Sequence, residues 1–214
     1  MVAFETGPIR GTLIPATGCG LPWENAVMDR GMVAAVLAGG SSSRFGSPKA
    51  DLEIEGRTFL ERIVEALLDG FDTVYVCGGD TEVPGSTLIH DAAPHAGPLG
   101  GIVSALNRAR DRPVFITAVD MPLLTMDTVG RLTTPAPVMG HARIARVDGR
   151  PQPLCGSYDG DLASLADRHL RYGDRSVMGL ITAVPHLELV DITDGSLRNI
   201  NTPEDYESLL ADLS

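Results

Sequence analysis

A chain of 214 residues with 43% hydrophobic content fits one large domain with a substantial core, and is too apolar for a disordered or fibrous chain. Its 17 Lys and Arg against 28 Asp and Glu leave a net charge of −11, which argues against general nucleic-acid binding but not against a small anion held by local cations and N–H groups. No run approaches the about 18 apolar residues that span a bilayer, the N-terminus lacks the apolar stretch of a secretion signal, and Cys19, Cys77 and Cys155 are too scattered for a disulfide framework or a zinc site, so a soluble, cytoplasmic protein with reduced thiols is expected.

Residues 1–31, rich in Gly, Pro and Thr and without periodicity, read as a flexible extension, leaving a folded domain over 32–214. MVAAVLA at 32–38 has the composition of a buried parallel strand and runs into Gly39 and Gly40. Phe59, Leu60, Ile63, Val64, Leu67 and Leu68 recur at helical spacing, with Thr58 and Glu61 spaced as a capping box and Gly70 at the far end. Strands are expected at 73–77 and 87–91, a helix from 99 to 110, and a further strand in PVFITAVD, whose apolar body runs to Asp120. Apolar segments at 143–147 and 153–158 flank VDGRPQP as a hairpin would. Helices are expected at 160–170, 174–183 and 204–213, the last with Thr202 as N-cap and Pro203 at its first position. The order of elements predicts an α/β fold: a doubly wound, mostly parallel sheet with helices on both faces, Rossmann-like, binding its ligand at the C-terminal strand ends.

The segment LAGGSSSRFGSPKADL at 37–52 follows the first strand directly. It matches neither a P-loop nor a dinucleotide fingerprint, yet Gly39, Gly40 and Gly46 permit close backbone approach and Arg44 and Lys49 supply cations, as in a phosphate cradle. A flexible surface loop with two solvated cations is the plain alternative. Asp120 offers one hard oxygen ligand of the kind Mg²⁺ takes alongside substrate phosphates, or else serves as a turn carboxylate. The five histidines form no zinc-binding pair, and no serine sits in a nucleophile elbow.

Leu37, Ala38, Gly39, Gly40, Ser41 or Ser43, Arg44, Gly46 and Lys49 fill the pattern L-A-G-G-x-S-x-R-M-G-x-x-K, with Phe45 in the Met position. In that order the segment resembles the signature of nucleotidyltransferases that activate a phosphorylated acceptor with a nucleoside triphosphate. HDAAPHAGPLGGIVSAL (Asp91, Gly97, Pro98, Leu99, Gly101), AVDMPLL (Asp120, Pro122) and RNINTPEDY at 198–206 narrow the resemblance to the molybdenum cofactor guanylyltransferases. The resemblance implies Mg²⁺-dependent transfer of GMP from GTP to molybdenum-loaded molybdopterin, with release of pyrophosphate. It implies catalytic roles for Arg44, Lys49 and Asp120, nucleotide contacts from Leu37, Ala38, Gly39, Gly40, Lys49, Asp91 and Asp120, and metal binding by Asp120. Arg150, Gln152, Pro153, Asn199 and Asn201 are the acceptor-binding candidates, although Arg150 also reads as an ordinary exposed turn residue. Arg171 and Arg175 suit either an anionic substrate or a solvated helix junction. Cys77 stands where family members often carry a nucleotide-binding Asn. The implied partners are GTP and molybdopterin, with transient contact to molybdoenzymes or cofactor-delivery proteins, and neither nucleic acid nor membrane. A cytidylyl- or other nucleotidyltransferase with a different acceptor, and a non-catalytic nucleotide-binding delivery module, are the alternatives.

Overall fold

The computed structural model describes residues 31–39, 48–90, 96–134, 139–172 and 175–213. The extension expected at the N-terminus, apart from Gly31, lies outside them. Strand β1 (Val33–Leu37) is buried at every position, as its unbroken apolar sequence requires. Its side chains feed two cores alternately, Ala34 and Val36 one and Val33, Ala35 and Leu37 the other. A 3-10 turn at Lys49–Asp51 and a small hairpin, β2 (Glu53–Ile54) with β3 (Arg57–Thr58), lead into helix α1 (Phe59–Leu68). The capping box read from Thr58 and Glu61 is present, and Phe59, Leu60, Ile63, Val64 and Leu67 are buried.

Strands β4 (Val74–Cys77) and β5 (Ser86–Ile89) follow without a helix between them, so strand and helix do not alternate strictly in this half. Helix α2 (Pro98–Ala109) starts from Gly97, whose φ of 65° and ψ of −160° suit glycine, with Pro98 at the first helical position. Strand β6 (Val114–Ala118) ends two residues before Asp120, so Asp120 lies in the turn beyond the strand and not at its expected end. Helix α3 (Met126–Leu132) was not foreseen. Strands β7 (His141–Val147) and β8 (Arg150–Tyr158) form the anticipated hairpin about Asp148 and Gly149, both at positive φ as a two-residue turn demands. The 160–170 segment divides into a 3-10 turn, Gly160–Leu162, and helix α4 (Ala163–Arg171); α5 (Val177–Ala183), an unforeseen strand β9 (His186–Asp191) and α6 (Pro203–Asp212) complete the order.

The main sheet runs β5-β4-β1-β6-β8-β7-β9, and β8 alone is antiparallel to its neighbours. Helices α1, α3 and α6 pack on one face and α2, α4 and α5 on the other, so the doubly wound architecture stands. The chain leaves β1 toward β4 and later returns to β1's other side as β6, which puts the topological switch point between β1 and β6. Among the described residues no helix is long and apolar enough to cross a membrane.

Candidate active site

At the switch point, Leu37 is in register with Ala118, and the Val119 N–H continues the ladder by donating to the Leu37 carbonyl at 3.1 Å. The chain then turns, Met121 N–H to Ala118 carbonyl at 3.3 Å, with Asp120 between them. From the C-terminal loop the Ile200 N–H donates to the Asp120 carbonyl at 2.9 Å, fixing that loop over the end of β6. Lys49 is held by its 3-10 turn, which the buried Ala50 anchors in the core. Its Nζ donates to Asn201 Oδ1 at 2.7 Å and lies 3.5 Å from Asp120 Oδ2. Three segments remote in sequence therefore meet at one ammonium group.

The Asp120 side chain is 23% exposed and the Lys49 side chain 18%. Burial pushes the Asp120 carboxyl above its ordinary range, the Lys49 charge only partly opposing it. Asp120 Oδ1 is buried with no hydrogen-bond partner. An anionic oxygen in that state is costly unless something cationic completes it. Among the described residues no three metal-ligating side chains cluster. The chemistry suits Mg²⁺, which is satisfied by one or two carboxylates with substrate phosphates filling the remaining positions.

Ala38 and Gly39 leave β1 with their N–H groups on the Cys77 carbonyl, at 2.9 and 3.3 Å. Cys77 is buried, and its Cβ would lie 3.8 Å from a methyl on Gly101 of α2, so its side chain packs toward that helix. Gly40, Ser41, Ser43, Arg44, Phe45, Gly46 and Asp91 lie outside the described residues.

Arg150, Gln152 and Asn199 line one open groove of about 540 Å³, together with the apolar Val147 and Leu197. Pro153 is not among its lining residues. It belongs to a bulge, since Ala145 pairs with Gln152 while the adjacent Ile144 pairs with Gly156, and its carbonyl accepts from the Tyr158 hydroxyl at 2.5 Å. Arg198 borders the groove, but its guanidinium is bonded to Asp212 and to Ser208 Oγ at 2.8 Å. Arg171 pairs with Asp167 at 3.3 Å on α4. Sequence reasoning did not single out Val147, Leu197 or the backbone of Ile200. It also passed over a plain signal, that Lys49 is the only lysine among the 17 Lys and Arg.

A doubly wound sheet whose switch point brings Lys49 against a largely buried Asp120 sets a charged pair at the C-terminal strand edge, where α/β folds of this class bind their ligands. Residues 34–187 match the family described as MobA-like NTP transferase domain, and the chain belongs to that family of nucleotidyltransferases. It is 32% identical over 198 residues to a protein of Xanthomonas euvesicatoria named molybdenum cofactor guanylyltransferase, covering 86% of this chain and 96% of the relative. The structure named molybdopterin-guanine dinucleotide biosynthesis protein A, from Archaeoglobus fulgidus, superposes with a TM-score of 0.70 at 21% identity, covering 85% of this chain and 98% of that one. A Mycobacterium tuberculosis protein solved as a manganese complex gives 0.66 at 19% identity, covering 84% of this chain and 98% of that one. These two share the fold.

Proposed function

We propose that this protein transfers GMP from GTP to molybdenum-loaded molybdopterin in a Mg²⁺-dependent reaction, releasing pyrophosphate and forming the guanine dinucleotide cofactor. The observation that carries the reading is the meeting of Lys49 with Asp120 at the switch point, with Asp120 Oδ1 left unbonded. The choice of base and acceptor is supported by the name of the Xanthomonas relative, and a divalent ion by the manganese complex of the Mycobacterium protein.

An acceptor phosphate oxygen attacks the α-phosphorus in line, and the bond to the pyrophosphate oxygen breaks. The attacking phosphate is already ionised, so no protein base is required, and charge stabilisation dominates the barrier. Lys49 neutralises triphosphate oxygens, and Arg44 with the backbone N–H groups of residues 40–46 shares that work, those of Ala38 and Gly39 being bonded to the Cys77 carbonyl. Asp91 acts with the nucleotide. Asp120 Oδ1 would hold a Mg²⁺, which would supply positive charge to offset that developing on the phosphates. Arg150, Gln152 and Asn199 present polar groups to the pterin phosphate from the groove, whose Val147 and Leu197 meet the ring system.

Purified protein incubated with Mg²⁺, molybdenum-loaded molybdopterin and either GTP or CTP is expected to form dinucleotide and pyrophosphate with GTP. Product with CTP alone refutes the guanine assignment, and nucleotide binding without turnover refutes the enzyme reading in favour of a delivery module.

A further inference from the structure

Helix α6 opens with a capping box that does more than cap. A carboxylate at the third helical position ordinarily reaches back to the N-cap N–H while the N-cap side chain accepts the N–H of that third residue. Helix α1 follows this rule: Glu61 Oε2 accepts from the Thr58 N–H at 2.8 Å and the Thr58 hydroxyl at 2.9 Å, and Thr58 Oγ1 accepts the Glu61 N–H at 3.1 Å. In α6 the shorter Asp205 accepts the Thr202 N–H at 2.9 Å and also, on the same Oδ2, the Asn201 N–H at 2.9 Å. Asn201 lies outside the helix, so this second bond satisfies no helical donor. It holds the residue whose side chain accepts from Lys49.

The bond also completes a pair of restraints. Ile200 is tied by its N–H to the Asp120 carbonyl at 2.9 Å, and the next residue by its N–H to Asp205, so the backbone is fixed on both sides of the Asn201 peptide. Helix α6 is in turn secured to the Lys49 side of the site: the Tyr206 hydroxyl donates to the Glu53 carbonyl at 2.6 Å, and its ring meets Phe59 edge-on at 5.9 Å.

We infer that Asp205 is a positioning residue, which aims Asn201 Oδ1 at Lys49 and thereby sets the ammonium group against Asp120. It acts through another residue and touches no substrate. The inference rests on the reading of Lys49 as the cation that holds the triphosphate. The direction of the Asp205 pKa agrees with the geometry, since the Asn201 N–H, with Thr202 adding to it, keeps its carboxyl below the ordinary range.

The single lysine makes the test direct, because protein grown with ¹³Cε-lysine carries one labelled side chain. Asp205→Glu keeps the charge and the box that α1 uses, but its longer arm gives up the Asn201 N–H. The thermal midpoint is expected to hold while the Lys49 signal moves toward that of Asn201→Ala, with KM for the nucleotide rising about tenfold in both. The double variant is expected to be no worse than Asn201→Ala alone. Thr202→Ala removes a cap acceptor and leaves the Asp205–Asn201 bond, so it is expected to lower the midpoint with the Lys49 signal in place. Asp205→Asn, which retains a side-chain oxygen, is expected to recover most of the wild-type signal. A Lys49 signal unmoved by Asp205→Glu, losses that multiply in the double variant, or a signal that simply follows stability across the set overturns the inference. Lys49→Ala run in parallel separates the two claims: wild-type turnover there refutes the nucleotide role of Lys49, while the spectra of the free protein still decide whether Asp205 positions it.

Discussion

Between Asn201 Oδ1 at 2.7 Å and Asp120 Oδ2 at 3.5 Å the site accommodates a compact ammonium. A guanidinium is a planar fork that needs acceptors spread along its edge, so arginine is a poor replacement although it supplies every other cationic Lys or Arg position in the chain. Lys49→Arg is therefore expected to lose at least about tenfold in kcat/KM with little change in stability, and Lys49→Ala or Asp120→Ala about a hundredfold or more, the scale of losing one electrostatic contact to a transition state. Steady-state kinetics beside circular dichroism melts check both. Asp120 also makes a statement about pH. Its folded pKa lies above the unfolded reference of 3.8, so ionising it favours the unfolded chain: its favourable contribution is complete below that reference and is lost as pH rises through the folded value. Asp120→Asn is thus expected to melt higher than wild type at neutral pH, with the advantage fading as pH falls toward 3.8. Activity is expected to fall over the same acid limb in the wild type, because a protonated Asp120 is a poor metal ligand. A neutral-pH midpoint lower in Asp120→Asn than in wild type contradicts this account.

At the level of elements, two glycines with the same substitution part ways. A methyl on Gly156 of β8 would stand 2.4 Å from the Arg143 carbonyl oxygen and 2.8 Å from Ile144 Cα, both backbone atoms of the paired strand β7 that cannot swing aside. Gly156→Ala is expected to cost about 2 kcal/mol or more by urea denaturation, in the upper range for overpacking. On Gly101 of α2 the methyl would meet Leu37 Cδ2 at 2.8 Å, the end of a side chain that can rotate, and helix propensity returns about 1 kcal/mol. Gly101→Ala is expected to stay within about 1 kcal/mol of wild type. The same distinction between local and distant information governed what the sequence revealed. Strands β1, β4 and β6 are buried throughout, so their composition announces them, and the caps of α1 and α6 are written in adjacent residues. Strand β9 sits at the sheet edge with every residue at least partly exposed, so HLELVD carries no strong apolar run, and β2 with β3 offers only two residues each. In the site, Lys49 and Asp120 were legible from the motifs around them. The bond from Lys49 to Asn201 was not, since 152 residues separate the partners and no periodicity spans that distance.

For the whole molecule, the net charge of −11 opposes the approach of an anion at long range, and under the proposed function Lys49 attracts the nucleotide only at close range. Raising salt from about 10 to about 100 mM shortens the screening length from roughly 30 to roughly 10 Å, which removes the distant repulsion before the contact attraction. The nucleotide kcat/KM is expected to rise over that range with kcat nearly flat; a monotonic fall would show that the local cations dominate even at long range. The sheet is finished at Asp191, yet the partner of Lys49 is Asn201, so every strand can be in place while the site is still open. Closing it joins residues 152 apart in sequence, and during synthesis from the N-terminus that closure must wait until the chain beyond β9 has been made. A chain that stopped between Asp191 and Asn201 would carry every strand of the sheet but lack the side chain that accepts from Lys49.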